Sequence, residues 1–135
     1  MRPILIALLL TLVGSFFLIT TLGYSADFQV YSVIRGLSMG DPNEIIQKDF
    51  YVNMGATEGV KEGSLLEVMR RVPTYSQTSE QLYQDVMFPI ARIKVIHTEA
   101  KASIARLEKM LPVDKTPAIS PHAVMVGDVV RLSSN

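Results

Sequence analysis

Apolar and polar residues alternate along most of the chain after residue 26. In KDFYVNM, residues 48–54, every second residue from Phe50 to Met54 is apolar, which is the period of a strand with one buried face. Comparable short runs are separated by glycine, proline and asparagine, which favour turns. The pattern predicts six strands, at residues 27–35, 48–54, 64–71, 89–97, 101–108 and 123–132. Six short strands of this kind predict an all-β fold, and we expect a small antiparallel barrel or sandwich.

Two segments between these runs have a different pattern. Residues 78–87 place Leu82 and Val86 four positions apart, as in a helix. The same residues could also form the descending strand of a long hairpin, and the sequence leaves both structures open. Residues 111–122 contain three prolines and therefore predict an extended connector outside the central strands.

The N-terminal segment, residues 1–26, carries no charge beyond its start. Arg2 precedes a charge-free stretch whose apolar core, Ile4–Leu22, has 19 residues. This pattern predicts an apolar helix that is either a signal peptide, cleaved after Ser25, or an uncleaved anchor in the inner membrane. In both cases the positive end stays in the cytoplasm, so we expect residues 27–135 to form one exported, periplasmic domain.

Composition narrows the chemistry of the exported domain. The chain has no cysteine, which excludes a lipoprotein acceptor site, disulfides and thiolate zinc sites. The whole chain has 13 basic and 13 acidic residues, and removing Arg2 leaves a net charge of −1 for residues 27–135. Nothing in this balance indicates a broad electrostatic surface for nucleic acid or anionic lipid. We therefore expect membrane contact only through residues 4–22, if they are retained.

The stretch NMGATEGVKEG, residues 53–63, has three regularly spaced glycines. Its spacing does not fit a phosphate-binding loop or a dinucleotide fingerprint, and a strand-like run follows it where such loops need a helix. Its charged residues exclude a lipid-embedded helix contact. We predict structural turns at Gly55, Gly59 and Gly63, with Val60 packed into the core.

Candidate catalytic and ligand-binding residues are sparse. His97 and His122 belong to no zinc-binding spacing, and no serine lies in a Gly-x-Ser-x-Gly elbow. Gly127 and Asp128 interrupt the last predicted strand and indicate a turn or bulge whose backbone the carboxylate can bond. The sequence therefore predicts no catalytic, cofactor or metal site, and we expect a protein that is not an enzyme.

The long segment 71–89 is the main candidate for a binding surface. It is polar overall but contains Tyr75, Tyr83, Met87 and Phe88. Connections of this length are often functional, and tyrosine and methionine are enriched at protein interfaces. Either these side chains contact a protein partner or a second copy, or they cover the open end of the barrel.

Residues 49–132 resemble the small barrel at the C-terminus of the flagellar assembly protein T family. The resemblance rests on FYVNMGATEGVKEGSLLEVMRR, PIARIKVIH, ASIARLE and VMVGDVVRL. It implies an SH3-like closed barrel in the periplasm, and it carries over no catalytic residue. The family's proteins carry further domains, whereas the resemblance covers only residues 49–132.

These observations favour a structural or assembly module of a bacterial envelope machine, flagellar if the resemblance holds. Its partners would be envelope proteins or further copies of the chain. The alternative is a periplasmic module that binds a glycan or peptide in a groove of the barrel.

Overall fold

The computed structural model describes residues 27–119 and 121–134. The predicted apolar helix lies outside these residues. The described residues form six strands and two single-turn 3-10 helices, and they contain no α-helix and no helix that could cross a membrane. The strands are β1 (Val30–Arg35), β2 (Lys48–Val52), β3 (Leu65–Tyr75), β4 (Leu82–Thr98), β5 (Ser103–Met110) and β6 (Val129–Leu132). The prediction of an all-β fold is confirmed.

All six strands belong to one antiparallel sheet in the order β1-β2-β5-β4-β3-β6. The sheet is not a closed barrel, so the expected closure is wrong. Its two edges meet at an isolated bridge between Gln29 and Val129 and at three backbone hydrogen bonds that join residues 28–30 to residues 127–130. Val130 donates its backbone N–H to the Phe28 carbonyl at 2.7 Å beside this bridge. The contact is short, since it involves only residues 28–30 and 127–130.

One apolar cluster fills the inner face of the curved sheet. The alternation predicted for residues 48–54 places Phe50, Val52 and Met54 in this cluster. Val60, in the glycine-rich segment, is 1% exposed and packs with them. The cluster draws on all six strands, so the sheet is held by burial of apolar surface in a single core. Its other members are Val30, Leu66, Val68, Ile90, Ala91, Ile93, Val95, Ala105, Val124 and Val130.

β3 and β4 continue as a long hairpin beyond the rest of the sheet. The last pair between β3 and β6 joins Met69 to Val129, and the last pair between β4 and β5 joins Ala91 to Met110. Residues 70–75 and 82–88 therefore pair only with each other. We call residues 71–88 the β3–β4 arm. The helical alternative for residues 78–87 is wrong, and the hairpin alternative is the one observed.

Candidate functional site

The β3–β4 arm carries apolar side chains that are open to solvent. Tyr83 is 81% exposed, Tyr75 is 63% exposed and Leu82 is 59% exposed. Tyr75 and Leu82 are paired across the two strands near the tip. Val86, closer to the base, is also exposed and pairs with Val72. The two tyrosines leave most of their surface to solvent, so they do not cover the end of the sheet.

The structure separates the four residues singled out in this segment. Tyr75 and Tyr83 lie at the tip, whereas Met87 and Phe88 lie at the base and are half-buried. Phe88 packs against the central apolar cluster. Phe88 therefore stabilises the domain, and the surface available to a partner is that of the tip.

The free edge of β3 in the arm is poorly suited to pairing with another strand. The Leu65 carbonyl accepts the Ser133 N–H at 3.0 Å, which shows that Leu65 directs its backbone groups toward β6. Because these directions alternate along a strand, Pro73 faces the same side, where the arm has no neighbour. A proline has no N–H to donate, so it interrupts this edge. A partner is therefore expected to contact the side chains of the arm.

A buried ion pair fixes the base of the arm. Arg70 Nε and Nη2 donate to the two carboxylate oxygens of Asp128, both at 2.7 Å. Arg70 also donates to the carbonyls of Pro121 and Ala123, at 3.0 and 2.6 Å. Asp128 in turn accepts the backbone N–H of Met125 at 2.8 Å. The pair thus ties β3 to the segment that leads into β6.

Sequence analysis assigned Asp128 to a backbone contact but did not find Arg70. Asp128 lies beside Gly127, which has a φ of 93°, and both precede β6. Arg70 carried little signal in the sequence, because residues 64–71 also include the charged residues Glu67 and Arg71. Its partner is 58 residues away, so only the fold brings the two together.

The glycine-rich segment packs closely against the turn between β4 and β5. Gly59 and Gly63 have φ values of 86° and 85°. Gly55 has an extended φ of −140°, which other residues also adopt. Glycine is needed at this position because a side chain would have no space. A Cβ there would lie 2.4 Å from the Glu99 carbonyl oxygen and 2.6 Å from the Ala102 nitrogen. The segment therefore joins β2 to β3 and also holds a neighbouring turn.

Glu58 closes the single 3-10 turn of this segment. Its carboxylate accepts the Gly55 N–H at 2.7 Å. This hydrogen bond, with a smaller contribution from Thr57, lowers the pKa of Glu58 below its ordinary value of 4.5. Glu58 is half-buried at the surface of the domain, so the effect is local.

A small pocket of about 130 Å³ lies on the outer face of the sheet. Tyr31 and Tyr51 line one side with their rings edge to face, 6.2 Å apart. His97 lines the other side, with Nε2 2.9 Å from Glu99 and Nδ1 3.6 Å from Glu62. These polar groups are all exposed. The pocket offers aromatic surface beside polar groups.

The second histidine has a structural contact. His122 Nε2 lies 3.1 Å from the Leu111 carbonyl, within the proline-containing connector. In the part of the chain that the structure describes, no three histidine or carboxylate side chains converge to hold a metal ion. Comparison of the chain with models of protein families, with curated proteins and with solved structures finds no match.

Proposed function

We propose that this chain is a non-enzymatic structural module of a bacterial envelope assembly, and that the tip of the β3–β4 arm is its partner contact. The observation that carries the proposal is the exposure of Tyr75, Leu82 and Tyr83 on an arm fixed at its base. A two-stranded ribbon with both faces in water is only marginally stable. Covering its apolar side chains with a partner would stabilise it, and tyrosine is enriched among the residues that dominate binding energy.

The proposal also covers where the protein is located and to which envelope machine it belongs. The charge-free run Ile4–Leu22 supports export to the periplasm, with the segment either removed or kept as an anchor in the inner membrane. The resemblance to the flagellar assembly protein T family supports a flagellar machine. In this proposal the sheet is an SH3-like arrangement that stays open where Gln29 and Val129 form their single bridge.

Removing the two tyrosines tests the proposed partner contact. Tyr75→Ala with Tyr83→Ala in the full chain should abolish co-purification of the envelope proteins that the unaltered chain retains. Ile96→Ala is the matched control, because Ile96 lies on the same strand, is 39% exposed and is remote from the arm. Equal recovery of partners by the double variant and the control, with the fold intact by circular dichroism, would refute the contact.

A second candidate function is the binding of a glycan or peptide on the outer face. The observation that favours it is the pair Tyr31–Tyr51 beside the pocket that His97 lines. Sugar rings and apolar peptide groups pack on aromatic rings, and the polar groups beside them could fix orientation. Titration of peptidoglycan fragments or short peptides against the protein, followed by tyrosine NMR signals, should perturb Tyr31 and Tyr51. Unperturbed signals at saturating fragment would exclude this candidate.

A further inference from the structure

Five exposed cations lie on or beside one outer face of the sheet, away from the tip of the arm. They come from β4, β5, β6 and the 3-10 turn after β5. We call them the basic face: Arg92, Lys94, Lys109, Lys115 and Arg131.

The register of the strands places these residues close together. Arg131 pairs with Glu67, Glu67 with Arg92, and Arg92 with Lys109, which forms a row across β6, β3, β4 and β5. With neighbouring strands about 4.8 Å apart, the row is about 15 Å long. Lys94 lies two residues beyond Arg92 and therefore on the same side of β4.

A groove of about 250 Å³ runs beside the row. Lys115, in the 3-10 turn Val113–Lys115, lines this groove together with Arg92 and Lys109. Glu67, Leu111 and Pro112 complete its lining. The three cations thus surround one shallow depression.

The charges of the basic face are not compensated by ion pairs. Among residues 27–119 and 121–134, none of its five cations has a carboxylate within 4 Å. By contrast, Arg70, Arg71 and Arg106 are each paired with an aspartate. Glu67 lies in the row, Glu108 precedes Lys109 and Asp114 precedes Lys115, so the five cations still outnumber these three carboxylates. The net charge of the whole domain is near zero, although uncompensated cations are concentrated on this face.

The chain enters the domain beside this face. Phe28 accepts a hydrogen bond from Val130, which places residues 27–28 next to Arg131 at one end of the row. The apolar run Ile4–Leu22 precedes this point by a few residues. A hydrophobic segment and a cluster of basic residues are the two signals that together hold a protein stably at an anionic bilayer.

We propose that the basic face lies against the phosphate headgroups of an anionic phospholipid membrane. The cations are spread over a broad, exposed row, which suits a surface of many phosphates better than a single bound anion. The cations also lie beside the point where the chain enters the domain. They would therefore face the membrane that the apolar run Ile4–Leu22 would enter. This contact adds to the membrane contact expected from residues 4–22 alone. It does not depend on the arm, so it can hold or fail separately from the proposed partner contact.

Lysine labelling tests this orientation without depending on the fate of the N-terminal segment. The full chain, as purified from the envelope, is mixed with vesicles of phosphatidylcholine alone or with added phosphatidylglycerol. Amine labelling of Lys94, Lys109 and Lys115, read by mass spectrometry, should fall several-fold with the anionic vesicles at low salt. High salt should restore it, because exposed charges are then screened. Labelling of Lys48 and Lys61, exposed elsewhere on the domain, should not change.

Charge reversal supplies the matched comparison. Arg92→Glu with Arg131→Glu should remove the protection of the three lysines, whereas Lys48→Glu with Lys61→Glu should preserve it. Equal labelling in the two kinds of vesicle, or equal protection of Lys48 and Lys61, would overturn the proposal. Protection by inorganic phosphate or by polyglutamate without vesicles would also overturn it, in favour of a small-anion site or an acidic protein partner respectively.

Discussion

Arg70 and Asp128 form a two-point ion pair across 58 residues of sequence, with both side chains about nine-tenths buried. Arg70 is the last residue of β3 before the arm, and Asp128 is the last residue before β6. The pair therefore joins β3 to the segment that leads into β6. It also gives the arm a rigid base from which to present its tip.

Breaking this pair should destabilise the domain strongly. Arg70→Met leaves the carboxylate of Asp128 buried without its partner, and the loss of one member of a buried pair costs about 3–5 kcal/mol. The neighbouring Arg71→Met is the control, because Arg71 pairs with Asp27 at the surface and such pairs contribute about 1 kcal/mol or less. Urea denaturation of both variants checks the difference. Equal free energies of unfolding would show that the buried pair has no special role.

Gly55 should tolerate alanine less well than Gly59. In Gly55→Ala the new methyl group meets backbone atoms of residues 99–102, which cannot rotate away. We expect a loss of about 1–3 kcal/mol or more in the free energy of unfolding, as for other overpacked sites. Gly59→Ala meets no atom and has only the strain of a positive φ, about 1–2 kcal/mol. Chemical denaturation ranks the two, and a larger loss for Gly59→Ala would contradict the close approach.

Glu58 should make the stability of the domain depend on pH in the acid range. Its pKa is lower in the folded protein than its ordinary value of 4.5, so its contribution is present above that pH and is lost as the pH falls through the folded pKa. Glu58→Gln should lower stability near neutral pH, and the difference from the unaltered protein should narrow in acid. Denaturation midpoints from neutral to acid pH measure this. A difference for Glu58→Gln that grows in acid would reverse the assigned sign.

Replacing Phe88 or Tyr83 with alanine should change the free energy of unfolding by different amounts, although both residues belong to the arm. Phe88 packs on the core, so Phe88→Ala should cost about 3 kcal/mol, at the lower end for a buried aromatic residue because Phe88 is only half-buried. Tyr83 is 81% exposed, so Tyr83→Ala should change the free energy of unfolding by less than about 0.5 kcal/mol. Thermal unfolding followed by circular dichroism checks both. A large loss for Tyr83→Ala would mean that the tip contributes to the core.

The strands could be predicted from the sequence, but the arm could not be told from a helix. Leu82 and Val86 are four positions apart, and residues at that spacing share a face in a strand as well as in a helix. The pairing of Val86 with Val72 settles the choice, and it depends on the partner strand. The last strand was predicted too long for a local reason. Gly127 turns the chain and Asp128 bonds the backbone of Met125, so β6 begins only after them.

Features that depend on register were not visible in the sequence. Arg92, Lys109 and Arg131 are far apart along the chain, and only the sheet places them in one row. The strand count predicted a barrel or a sandwich, and the resemblance implied a closed barrel. Closure requires a ladder between the first and last strands. Here one bridge at Gln29 and Val129, with the backbone hydrogen bonds beside it, takes the place of that ladder. The requirement at Gly55 likewise comes from a turn more than forty residues later in the sequence.

Photo-crosslinking in the native envelope tests the partner contact at the tip of the arm most directly. A photoreactive amino acid at position 83 should give one discrete adduct with an envelope protein or with a second copy of the chain, identified by mass spectrometry. The same amino acid at position 96, on the same strand but away from the arm, should give none. Adducts of the same identity and yield from both positions, or no adduct from position 83 in a folded and exported protein, would contradict the account.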